Sequence, residues 1–207
     1  METGMKDIGL FIFSGLIVNM MPGPDSLLVM TRSAAQGWRA GMLAAFGIGI
    51  GILVHVMVAA LGLSALLAAY PSAFALIKCG GAVYIVIMGL LMLRRGISVN
   101  SGALSSTPSN KKILLQGFLT DVLNPKVALF FLAFVPQFVA ADAVSKPLAF
   151  FFLGVIFDIN CMLYLCVLAF GTAYVSARLG KKSQVGAYLK RIAGGAFVFL
   201  GMRLALS

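Results

Sequence analysis

Ionisable side chains stand inside apolar stretches of this sequence, and two of them follow a proline. Asp25 closes Asn19-Met20-Met21-Pro22-Gly23-Pro24-Asp25, and Lys126 closes Asp121-Val122-Leu123-Asn124-Pro125-Lys126. A proline inside an apolar run breaks a helix, and a new half-helix starting there offers free N–H groups and a positive dipole end to an anion. Asp25 at such a start reads equally as an ordinary N-cap or as a ligand for an ammonium group. Lys126 occupies the matching place in the second stretch. There its charge opposes the local dipole, so it needs an anion such as Asp25, Asp121, Asp158 or a bound carboxylate, or else it snorkels to an interface. A carboxylate and an ammonium held in fixed positions are together suited to a zwitterion.

His55 is the sole histidine and follows Gly47 and Gly51 at helical spacing, so the three share one face. Small residues let a second helix approach that face, which buries the imidazole among protein atoms. Histidine is neutral or charged depending on small environmental shifts near physiological pH, so His55 is a candidate proton carrier. Asp158, four residues after Gly154, repeats the arrangement later in the chain. The two therefore stand as a candidate proton-carrying pair, with a structural interhelical hydrogen bond as the equal alternative. Cys79, Cys161 and Cys166 lie in apolar segments and read as packing residues; their odd number leaves no complete disulfide pairing.

The elements that must position these groups are membrane helices. Of the 207 residues, 61% are hydrophobic and only 11% charged, and the mean hydropathy is +1.03, well beyond a soluble domain. With about 20 apolar residues needed per span, the sequence predicts six: 8–32 (broken), 41–69, 73–93, 113–140 (broken), 147–177 and 186–206. The net charge of +10 is not a nucleic-acid footprint, because its placement alternates. Arg32 and Arg39, then Arg94, Arg95, Lys111 and Lys112, then Arg178, Lys181, Lys182, Lys190 and Arg191 mark the first, third and fifth connections. The intervening side carries Glu2, Lys6 and Asp7, an uncharged turn at Tyr70-Pro71-Ser72, and the balanced Asp142 and Lys146. The positive-inside rule then places both termini outside the cytoplasm. Glu2 and Asp7 deny residues 8–21 the basic flank of a signal peptide, so they are expected to be part of the mature protein.

The two broken stretches belong to a repeat. Gly15 to Met21 aligns with Gly117 to Leu123, pairing Asn19 with Asp121; Pro24-Asp25 aligns with Pro125-Lys126, and Gly80-Gly81-Ala82-Val83 with Gly194-Gly195-Ala196-Phe197. Three spans per half force the second half to enter the membrane from the opposite side, giving an inverted repeat whose paired breaks point to a binding site. The expected fold is an all-α integral membrane protein, six transmembrane helices in two inverted three-helix repeats, the first and fourth helices broken at proline. It forms a single membrane transport domain over 1–207: repeat one 1–95, a Gly/Ser/Asn-rich linker 96–110, and repeat two 111–207.

These residues resemble the LysE/RhtB family of amino-acid exporters along the whole chain. The resemblance lies in Met21-Pro22-Gly23-Pro24-Asp25, Gly47-Ile48-Gly49-Ile50-Gly51 to His55 with Ala60-Leu61-Gly62-Leu63, and Lys78-Cys79-Gly80-Gly81-Ala82-Val83-Tyr84. It continues in Leu123-Asn124-Pro125-Lys126, Phe134-Val135-Pro136-Gln137-Phe138 and Gly201-Met202-Arg203-Leu204-Ala205. It implies a bacterial inner-membrane exporter of amino acids or close derivatives, driven by the proton gradient. Homoserine, threonine, leucine, lysine and arginine are all represented among the family's substrates, so the motifs do not choose one.

The expected substrate-binding residues are Asn19, Pro22, Gly23, Pro24, Asp25, Asp121, Asn124, Pro125 and Lys126, and the expected proton-coupling residues are His55 and Asp158. No catalytic or metal motif is present, so an enzyme is not expected. No cofactor is expected either. Partners are an amino-acid substrate, protons and the lipid bilayer, with no nucleic acid; a homodimer is a possible assembly. The alternative is a small-solute channel or pore of the same inverted-repeat architecture.

Overall fold

The structure, a computed structural model, describes residues 4–21, 23–63 and 108–179. The predicted spans 73–93 and 186–206, and with them Cys79, Lys78 and Arg191, lie outside the described residues, as does Pro22. Six α-helices are described: α1 (Ile8–Met20), α2 (Pro24–Gln36), α3 (Trp38–Val58), α4 (Asn110–Val122), α5 (Pro125–Leu129) and α6 (Lys146–Leu179). α3 runs on into a π-helical turn, Ala59–Leu63, and α5 into a π turn, Phe130–Phe134, and a 3₁₀ turn, Val135–Phe138.

Two described helices are long and apolar enough to cross a membrane alone, Trp38–Gly62 and Lys146–Arg178. The pairs α1–α2 and α4–α5 also reach that length when each is counted as one bent span, with bends of 57° and 42°. Large apolar side chains face outward on these helices, among them Phe13 on α1, Phe46 on α3 and Leu163 and Val167 on α6. Such a surface suits lipid rather than water.

Backbone chemistry explains the bends. A residue preceding proline is driven from the α region into extended conformation. Met21, Gly23 and Asn124, each followed by proline, are all extended. Pro24 and Pro125 then open the next helices, where the missing N–H is not needed. Between α2 and α3 the chain turns at Gly37, whose φ of 84° suits a residue without Cβ.

The two bent segments run antiparallel. At one end Lys6 N–H donates to the Phe138 carbonyl at 2.9 Å and Ala140 N–H to the Gly4 carbonyl at 2.9 Å, which joins the entry to α1 with the exit from the α5 segment. At the other end the Arg32 guanidinium donates to Gln116 Oε1, joining the last turns of α2 to α4. α3 packs closest against α4. A Cβ on Gly47 would strike the Leu114 carbonyl oxygen, and one on Gly117 the Ala44 carbonyl oxygen. The face shared by Gly47, Gly51 and His55 is therefore covered by the helix that leads into the second break. α6 lies behind, with Gly154 against the Val56 methyls.

Candidate functional site

The two proline turns cross and are tied to each other by side chains. Asn124, the N-cap of α5, accepts a hydrogen bond from Lys126 N–H on Oδ1 at 3.0 Å. Its amide nitrogen donates to Asp25 Oδ2 on α2. In return, Lys126 Nζ reaches over Gly23 and donates to the carbonyls of Val18 at 3.4 Å and Met21 at 3.3 Å. Those carbonyls belong to the last turn of α1, the negative end of its dipole, which is where a cation is stabilised. Lys126 is 8% exposed and does not snorkel. Asp25 is 4% exposed, and its Oδ1 has no hydrogen-bond partner. It is not the N-cap: Gly23 holds that position, and Asp25 is the second residue of α2, where an acid also favours the dipole.

His55 lies against Asp121. Its Nε2 lies 3.1 Å from the main-chain oxygen of Asp121 and 3.8 Å from Asp121 Oδ2, the one acid–base pair within 4 Å among the described residues. Asp121 is fully buried, and neither carboxylate oxygen accepts a hydrogen bond. The imidazole stacks on Phe131, centroids 6.1 Å apart and planes 13° apart. Asp158 instead lies behind α3, where a Cβ on Gly49 would come 3.4 Å from its Oδ1.

On the end that carries the 4–6 and 138–140 pairing, aromatic rings fill the space between α1, the α5 segment and α6. Phe130 stacks on Phe157 at 4.3 Å, and Phe11 meets Phe138 edge-on at 5.1 Å. On the opposite end an open groove of about 540 Å³ runs along α4 past Lys112, Gln116 and Leu119 to Asn124, with Pro24 in its wall. Among the described residues no group of three or more His, Cys, Asp or Glu could hold a metal ion.

A family model described as LysE type translocator matches residues 16–207. The chain belongs to the LysE type translocator family. This translocator is 31% identical over 207 residues to an uncharacterized membrane protein of Pseudomonas aeruginosa, covering 98% of this chain and 96% of the relative. It is 28% identical to the leucine efflux protein of Enterobacter sp., over 99% of this chain and 97% of that one. It is 27% identical to the leucine efflux protein of Salmonella typhimurium, again over 99% and 97%. No solved structure matches it significantly. Family and apolar helices together make it a multi-pass membrane translocator.

Of the residues expected at the translocator's substrate site, Gly23, Asp25, Asn124 and Lys126 come together at the crossing. Pro24 and Pro125 shape its backbone, but their rings are exposed. Asn19 is buried in the last turns of α1, with Nδ2 unpartnered. Asp121 joins His55, and Asp158 lies beside Gly49 of α3. Sequence reasoning missed Gln116, which receives Arg32, and Asn160, whose amide donates to the Ile12 carbonyl at 2.9 Å and ties α6 to α1. An amide inside the apolar run of α6, two residues after Asp158, was the available signal for Asn160.

Proposed function

We propose that this translocator exports an amino acid from the cytoplasm by proton antiport, its two inverted repeats moving by alternating access about the crossing of the proline turns. The observation that carries this reading is the reciprocal tie at the crossing: an acid at the second position of one half-helix, a base at the second position of the other, each held by the opposite half. A zwitterion fits such a place. Asp25 receives the ammonium on its unpartnered Oδ1, while Lys126 and the start of α2 receive the carboxylate. Asn19, Gly23, Pro24, Asn124 and Pro125 complete the surround, and Pro22, outside the described residues, is proposed with them on its place in the sequence.

The groove supports entry from the basic end. Its inner walls are Pro24 and Asn124 and its sides Leu115, Leu119 and Leu123, which suit an aliphatic side chain; leucine, the solute in the names of two relatives, is the first candidate. The positive-inside rule puts that basic end in the cytoplasm and both termini outside, and on this reading the groove opens toward the cytoplasm. The protein purified into liposomes tests the reading. Saturable leucine counterflow, accelerated by a proton gradient directed against leucine movement, is the expected result. Flux that neither saturates nor exchanges would assign the same architecture to a pore.

A further inference from the structure

We propose that Asp121 and His55 form the translocator's proton-binding site, and that the turn from Asp121 to Asn124 ties its occupancy to the substrate residue Asp25. The inference rests on the export reading, and it assigns proton coupling to Asp121 instead of Asp158. Asp121 is 0% exposed and neither of its carboxylate oxygens receives a hydrogen bond. An isolated buried carboxylate is strongly unfavourable unless it is neutralised. The carboxyl is wedged against α3 backbone, since a Cβ on Gly51 would come within 2.8 Å of both its Cβ and its Oδ2. One turn further along the same helix, His55 Nε2 lies beside it, 3.8 Å from Oδ2.

Among the described residues, the other charged groups around Asp121 are Asp25 from α2, Lys126 from α5 and Asp158 from α6. Lys126 attracts it from a distance while donating to the Val18 and Met21 carbonyls, and the two acids repel it. One proton therefore decides the local charge. With it, the pair is neutral, as carboxylic acid and imidazole or as carboxylate and imidazolium. Without it, a further negative charge stands near Asp25 and strengthens the hold on a substrate ammonium there. Proton and substrate then alternate because a proton on the pair weakens the hold on the ammonium at Asp25.

A physical link joins the two sites. The Asp121 main-chain oxygen accepts from His55 Nε2 at 3.1 Å and from Asn124 N–H at 2.8 Å, and the Asn124 side chain holds Asp25. Protonated His55 binds that carbonyl, at the negative end of α4, more strongly than neutral His55 does. A change at the imidazole thus reaches the Asp25 ligand through a single turn.

Infrared difference spectra of the purified full chain in lipid, acid minus alkaline, test the pair without a substrate. A protonated-carboxyl band should vanish in Asp121→Asn, shift in His55→Gln and persist in Asp158→Asn. In liposomes, leucine counterflow should lose its acceleration by the proton gradient in Asp121→Asn and His55→Gln while keeping it in Asp158→Asn. Carboxyl bands unaltered by both Asp121→Asn and His55→Gln, or gradient acceleration intact in those variants, would overturn the proposal. If Asp121→Asn does not fold, His55→Gln carries the same two readouts. Wild-type protein lacking leucine counterflow would sink the export of leucine alone, and the infrared result would still decide the pair.

Discussion

Asn124 joins the two halves of the site, because one side of its amide caps α5 and the other holds Asp25. Losing an N-cap costs about 0.5–2 kcal/mol, and a buried acceptor left unsatisfied costs roughly 1–3 kcal/mol more. Asn124→Ala should therefore lower the thermal unfolding midpoint of the purified protein and also weaken leucine counterflow, whereas Asn124→Asp should restore the cap and place a second acid against Asp25. Counterflow in Asn124→Asp at or above the Asn124→Ala level would show that the cap, and not the bond to Asp25, is what matters. Lys126 makes a complementary case. Its ammonium is the shared donor to two carbonyls at the end of α1, so Lys126→Gln should cut counterflow at matched expression more deeply than it cuts thermal stability. Full counterflow in that variant would remove the lysine from the substrate site.

Helix against helix, the closest approach in the described structure is α3 on α4, and glycine makes it so. Gly47, Gly51 and Gly117 meet backbone or the Asp121 side chain where a Cβ would stand. The approach brings the His55 face of α3 onto the last turn of α4, so the packing of two elements creates the acid–base pair. Overpacking a tight contact costs typically about 1–3 kcal/mol. Gly47→Val should reach or exceed that range and lower the unfolding midpoint, while Gly62→Ala, whose added Cβ meets no atom of the described residues within 4 Å, should not lower it. Equal midpoints in the two variants would mean that α3 and α4 are not in contact at Gly47. The π turns Ala59–Leu63 and Phe130–Phe134 follow the two functional stretches and touch each other. Such turns shift the register of the side chains beyond them, and the second one delivers Phe131 to the His55 ring.

For the molecule as a whole, the antiparallel run of α1–α2 beside α4–α5 has a topological consequence. Lys6 and Asp142 belong to the end where residues 4–6 meet 138–140, and Arg39 and Lys112 to the end where Arg32 meets Gln116. In a variant lacking Cys79, Cys161 and Cys166, single cysteines at 6 and 142 should react with a membrane-impermeant thiol reagent added to intact cells. Cysteines at 39 and 112 should react only after the membrane is opened. Labelling of 6 and 112 from the same side would contradict both the antiparallel arrangement and the charge alternation that predicts it.

Composition and pattern by themselves determined the solvent, the broad helix plan and the places where the helices bend, because hydropathy and proline act locally and leave their mark in a single stretch of chain. The described helices at 8–36, 38–63, 110–138 and 146–179 answer to four of the six predicted spans, with α3 starting three residues early because Gly37 supplies the turn. The family was also legible, since its motifs are contiguous. Partnership was not. Whether Asp25 capped its own helix or faced Asn124, whether Lys126 snorkelled or turned onto the carbonyls of α1, and whether His55 met Asp158 or Asp121 depended on which helices pack together and at what register. That choice is made by the fit of small residues such as Gly51 against a distant backbone, a property of two segments at once that neither segment's sequence carries alone.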